Sequence, residues 1–105
     1  MDPRLYQIVY ISAATEPFSP AQLHALSSRA SDRNQSIGVT GMLLYAKDTF
    51  YQVLEGEETT IRNLHEEIRQ DRRHEKLEVI CAQRIIKRRF SNWSMARVED
   101  LLEQI

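Results

Sequence analysis

Cysteine is almost missing from this 105-residue chain. Cys81 stands alone, so no internal disulfide forms and a reducing compartment suits the protein. It falls in an apolar strand pattern, where a small core residue is expected. Glycine is scarce too, with three in all, and neither a P-loop nor a dinucleotide fingerprint occurs. No apolar run is long enough for a bilayer, and no basic start followed by an apolar run marks a signal peptide. Neither sign of charge dominates: a net charge of -1 supplies no global field for nucleic acid or an anionic membrane. Arg84, Lys87, Arg88 and Arg89 read as a solvated face, and His24, His65 and His74 lack metal-ligand spacing. These absences predict a cytoplasmic chain with no membrane segment, no metal and no direct nucleic-acid contact.

The length fits one small domain with one core. Val39 to Gly56 reads as two strands joined by a tight turn at Lys47-Asp48, each alternating with period 2. Phe50, Gln52 and Leu54 share one face of the second arm; Tyr51, Val53 and Glu55 share the other. Gln52 thus sits between two large apolar neighbours on a core face, where its amide needs partners. Two readings stand: an amide satisfied by nearby backbone, or one held for a polar ligand.

Leu5 to Ser12 predicts a central strand, with Tyr6, Ile8 and Tyr10 against Leu5, Val9 and Ile11. Ser19-Pro20 opens a helix, Ser as N-cap and Pro in first position, with the inward stripe Leu23, Leu26, Ser27, Ala30, Asn34. A second helix runs from Glu57 to about Gln70 on Ile61, Leu64 and Ile68, and Asp71 continues its stripe. A fourth strand spans Leu77 to about Ile86, and a fifth begins over Phe90 to Met95. The order is βαββαββ with a helical tail. Helices crossing between parallel-paired strands predict a ferredoxin-like α+β sandwich. Both helices would cover one face of a mixed five-stranded sheet, with the first and third strands central. Tyr10, Gln52, Asn34 and Asp71 would then converge between the helices, beside the small residues Ser27 and Ala30. Four polar groups aimed at one gap suggest a ligand with several hydrogen-bonding edges.

These residues resemble a known family, the BLUF domains, blue-light sensors that use FAD. The resemblance rests on Tyr10-Ile11-Ser12, on Arg33-Asn34 with Gly38-Val39-Thr40-Gly41, and on Phe50 to Gly56. It continues through Gln70 to His74 and Arg88 to Met95, from Leu5 to about Val98 in all. The fragments are weak singly and specific in this order and spacing. What the resemblance implies is a flavin (FAD, with FMN or riboflavin as other occupants) between the two helices. Tyr10 looks like the tyrosine that donates an electron and proton, and Gln52 like the switching glutamine. Asn34 looks like the asparagine on the ring's polar edge, while Asp71 and Arg73 match positions lining the site. Ser27, Ala30 and Ile68 lie where the helices would hold the ring's flank. Arg33 falls at a variable position. Trp93 and Met95 match the pair linked to output, and either is open to face the flavin.

The resemblance therefore implies a sensor domain over residues 1–98, with residues 99–105 opening a helical tail. It implies no catalysis in this chain, but a downstream effector domain or separate partner, and a homo-oligomer. The alternatives are a flavin-dependent or acyl-phosphate enzyme on the same fold, or an RNA-binding sheet with Tyr51 as the exposed aromatic. The tail from Val98 to Ile105 has an apolar stripe of Val98, Leu101, Leu102 and Ile105. A helix that short must dock to persist, and the sheet face away from the flavin is its expected seat. Leu5, Val9, Ile11, Leu43, Tyr51 and Val53 are its expected contacts there.

Overall fold

The computed structural model describes residues 4–97. The elements are β1 (Leu5–Ala14), α1 (Pro20–Ser36), β2 (Thr40–Ala46), β3 (Thr49–Glu57), α2 (Glu58–Arg69), β4 (His74–Arg84) and β5 (Trp93–Arg97). They form one five-stranded sheet of order β4-β1-β3-β2-β5. The ferredoxin-like α+β architecture expected from the sequence is what forms, with β1 and β3 at the centre. One detail differs. The strands joined by each helix are not neighbours, because β3 lies between β1 and β2, and β1 between β3 and β4. The central ladders are therefore antiparallel, and the parallel ladder is β2–β5.

Local chemistry sets the element ends. Ser19 caps α1: its hydroxyl accepts from the Gln22 backbone N–H, and the Gln22 side chain accepts from the Ser19 N–H, with Pro20 in the first turn. The β2–β3 turn places Lys47 and Asp48 at φ 50° and 63°, the mirror-image turn that matches the twist of a hairpin. Asp48 is held there by the Tyr45 hydroxyl at 2.6 Å. Gly41 must be glycine, since a Cβ there would lie 1.9 Å from the Val53 carbonyl oxygen at a φ of +148°.

The core lies between the helices and one sheet face. Tyr6, Ile8 and Tyr10 from β1 and Phe50, Gln52 and Leu54 from β3 meet Leu23 and Ala30 of α1 and Ile61 and Leu64 of α2. Burying each large aliphatic side chain there stabilises by about 1.5–3 kcal/mol. Trp93 joins this core from β5.

Two expectations fail at the sheet, and one burial was not foreseen. Leu43 faces the helices, because its register partner is Gln52; it does not belong to the open face. Cys81 is half-buried on the edge strand β4 rather than in the core. Glu55, on the face with half-exposed Tyr51, is fully buried. The tail from Val98 to Ile105 lies outside the described residues, and none of the described helices is long and apolar enough to cross a membrane.

Candidate functional site

Between α1 and α2, above β1 and β3, a cleft holds about 600 Å³ of atom-free space, open to solvent on one side. Its floor is the cross-strand pair Tyr10 and Gln52, which face each other in register. Period-2 alternation points both toward the helices. The Tyr10 hydroxyl donates to Gln52 Oε1. Gln52 Nε2 has no hydrogen-bond partner among the described residues, so the amide has two donors left for a ligand.

Apolar walls come from Leu26 and Ala30 of α1, Ile68 of α2, and Leu43 and Phe50 of the hairpin. Arg29 and Arg33 line the α1 side, one helical turn apart. Asp71, Arg73 and His74 close the end where α2 turns into β4. Asp71 accepts from the Arg73 guanidinium at 2.5 to 3.0 Å and from the Arg73 backbone N–H at 2.9 Å. This Arg73 pairing holds the Asp71 carboxyl below its usual range. Burial pushes the Tyr10 phenol strongly up; the Arg33 charge opposes that shift and the Asp71 charge adds to it. Tyr10 is thus a neutral hydrogen-bond donor at physiological pH.

The structure brings together Tyr10, Ala30, Arg33, Gln52, Ile68, Asp71 and Arg73. It does not place Asn34 or Ser27 in the cleft wall. Ser27 is half-buried along α1. Asn34 is fully buried in the last turn, its Oδ1 accepting from Arg33 Nε at 3.2 Å and its backbone carbonyl from the Val39 N–H at 2.8 Å. Its Nδ2 is buried with no partner among the described residues. Trp93 is buried in register with Gly41, on the cross-strand row of Leu54 and Ile8. Met95 occupies the register position of Leu43, on the row that continues through Gln52 to Tyr10.

Reasoning from sequence left out Ser12, Phe18, Leu26, Arg29, Leu43, Phe50 and His74, which also line the cleft. Two of them carried a signal. Ser12 follows Tyr10 by two residues, hence shares its face, and Arg29 precedes Arg33 by one turn. His65 was also overlooked. Its ring stands edge-on to Tyr10 with centroids 5.7 Å apart, and burial lowers its pKa. A planar heterocycle with a polar rim fits this donor set. Apolar walls are available, and among the described residues Ser12 Oγ, Asn34 Nδ2 and His74 Nδ1 are buried without a partner, while Gln52 Nε2 in the cleft also has none.

The fold and cleft together define a ferredoxin-like module with a cleft between its helices whose floor is a hydrogen-bonded tyrosine and glutamine. The chain belongs to the BLUF family, described as sensors of blue-light using FAD, whose family model matches residues 5–96. FAD is the cofactor by which that family is defined. Photoactivated adenylate cyclase subunit beta of Euglena longa is 36% identical over 103 residues, which cover 96% of this chain and 12% of that protein. The alpha subunit of Euglena gracilis is 35% identical over 88% of this chain and 9% of its own length. The chain thus spans about an eighth or less of these relatives. Among solved structures, the dark state of BlrB, a BLUF protein, superposes with a TM-score of 0.86 at 28% identity, covering 96% of this chain and 78% of that one. Klebsiella pneumoniae BlrP1, solved with cyclic di-GMP and calcium, gives 0.84 at 32% identity over 95% of this chain and 27% of that one.

Proposed function

We propose that this chain is the flavin-binding, blue-light-sensing module of a signalling protein, with FAD held noncovalently in the cleft between α1 and α2. The observation that carries this reading is the Tyr10–Gln52 hydrogen bond on the cleft floor, with the second half of the amide unengaged. Bound flavin would supply a blue-absorbing ring that becomes a strong oxidant when excited. With the ring bound, Tyr10 would be the oxidisable group beside it, placed to lend an electron and its phenolic proton to the excited ring and to take both back. Gln52 Oε1 already accepts that O–H, so the proton has a short path. Rotation or tautomerisation of the Gln52 amide then exchanges donor for acceptor at the cleft, with no covalent bond to the ligand, and the change reverses in the dark. Ala30 and Ile68 flank the ring, and Arg33, Asp71 and Arg73 set the charge around it; Ser27 and the unpartnered Asn34 Nδ2 lie outside the cleft wall and would reach the ring only after α1 side chains rearrange.

Output passes through β5, with Trp93 and Met95, to a downstream effector domain or a separate partner, in a homo-oligomer. The domain itself is a sensor without catalysis. Its relatives include adenylate cyclase subunits, which makes a nucleotide cyclase one effector class to test. The test of the sensing role is an absorption spectrum of the purified protein before and after blue light. Expected are oxidised flavin bands that shift slightly to the red on illumination and return in the dark. A protein that stays colourless when FAD is added, or a flavin spectrum unmoved by light, refutes the proposal.

A further inference from the structure

On the sheet face away from the cleft, three residues from the photoactive pair along the same two strands, lies a second cross-strand polar pair. Gln7 of β1 stands in register with Glu55 of β3, as Tyr10 does with Gln52. Both are buried, Glu55 completely, on a face otherwise half open. The cover is the connection between β4 and β5. Glu55 Oε2 accepts from Gln7 Nε2 at 2.9 Å, and Oε1 accepts from the backbone N–H groups of Arg89 at 2.8 Å and Phe90 at 3.1 Å. Gln83 Nε2 of β4 donates to Gln7 Oε1 at 3.3 Å. One residue earlier, the Arg88 guanidinium donates to the carbonyls of Glu55 and Gly38 at 3.0 and 2.9 Å and to Thr40 Oγ1 at 2.8 Å.

Resting on the light-sensing reading above, we propose that Glu55 is a positioning residue that latches the 88–92 connection to the two strands carrying Tyr10 and Gln52, and that light loosens this latch. The chemistry of the latch is specific to a carboxylate. Both oxygens accept, and no donor is wanted. An amide in its place turns an NH₂ toward one of two sets of N–H donors. The connection it holds is the lead-in to β5: Asn92 accepts from the Gly41 N–H at 3.0 Å, and Trp93 follows. A register or twist change at the Tyr10–Gln52 rung reaches the Gln7–Glu55 rung through the shared strand pair, and Glu55 transmits it to the backbone of Arg89 and Phe90. The bistable element is then the connection, latched in the dark and released in the light.

Amide hydrogen exchange followed by NMR on the flavin-loaded wild-type protein tests this without a substitution. Arg89 and Phe90 amides are expected to be slow in the dark and faster in blue light. Equal exchange in both conditions, in a protein that still shows the red shift, overturns the latch and leaves the sensing role standing. Absence of the red shift itself overturns both. Glu55→Gln supplies the second readout. It is expected to keep flavin and an initial red shift, since the side chain lies away from the cleft. Dark exchange at Arg89 and Phe90 should rise roughly tenfold or more, the weight of a lost hydrogen bond to a charged acceptor, and the light-dark difference there should vanish. Dark recovery should change in rate, whereas a purely structural role would leave it as in wild type. A Glu55→Gln protein that folds, keeps wild-type exchange and recovers at the wild-type rate refutes the proposal.

Discussion

Removing either partner of the Tyr10–Gln52 hydrogen bond should cost more than removing both. The two side chains are 2% and 5% exposed, and the phenol donates to Gln52 Oε1. Tyr10→Phe leaves that oxygen without its donor; Gln52→Leu leaves the hydroxyl without its acceptor. A buried polar group stripped of its partner costs about 1–3 kcal/mol. Gln52 lines the cleft, so its freed amide can turn toward water, which places Tyr10→Phe near the low end. The Tyr10 hydroxyl has less room, which places Gln52→Leu nearer the top. In the double variant two apolar groups meet, and replacing both partners is nearly neutral. The cycle should therefore show a coupling of roughly 4 kcal/mol, close to the two single costs together, with the double variant far less destabilised than the two singles summed. For a domain of this size each kcal/mol moves Tm by about 4–8 °C. Urea unfolding of the flavin-free protein is the assay, read as midpoints at constant slope. Singles that add to the double within about 0.5 kcal/mol would refute a coupled buried bond. The same two singles, loaded with flavin, should retain the chromophore and lose the normal red shift. A wild-type photocycle in either one removes that residue from the mechanism.

Asn34→Ala should weaken flavin binding by about 1–3 kcal/mol or move the dark spectrum, because the unpartnered Nδ2 is the donor removed; titration of stripped protein with FAD checks it, and unchanged affinity and spectrum count against the contact. Acid should unfasten the corner between α2 and β4. Arg73 holds the Asp71 carboxyl below its ordinary value, so the pair's contribution is present above about pH 5 and fades as pH falls below about 4 toward the lowered value. Thermal melts should show wild type above Asp71→Asn at neutral pH and the gap closing in acid. The pair is partly exposed, so the gap is small, and a gap that widens in acid would reverse the sign of the argument.

Much of this molecule is local and hence legible in its residues. The Ser19 cap, the Lys47-Asp48 turn and the alternation that sends Tyr10 and Gln52 to one side depend on chain neighbours alone. So does the stripe that carries Leu23, Ala30 and Asn34 inward. The family match adds FAD, a cofactor that periodicity by itself cannot name. What failed was decided across strands. Leu43 and Leu44 are both apolar, so alternation cannot say which faces the helices; pairing with Gln52 decides it. Asn34 points inward as the stripe requires, yet which neighbours close over its amide depends on how α1 ends against β2. Arg29 becomes a cleft residue only once α2 stands opposite it. Glu55 is the clearest case. Alternation puts this glutamate on the face of Tyr51 and Val53 and says nothing of its cover; it is buried because a segment more than thirty residues later folds back and presents two backbone N–H groups to it. Period and capping act through bonds a few residues apart, whereas a buried charge is tolerable only when donors from distant chain surround it, and that arrangement exists only in the folded sheet.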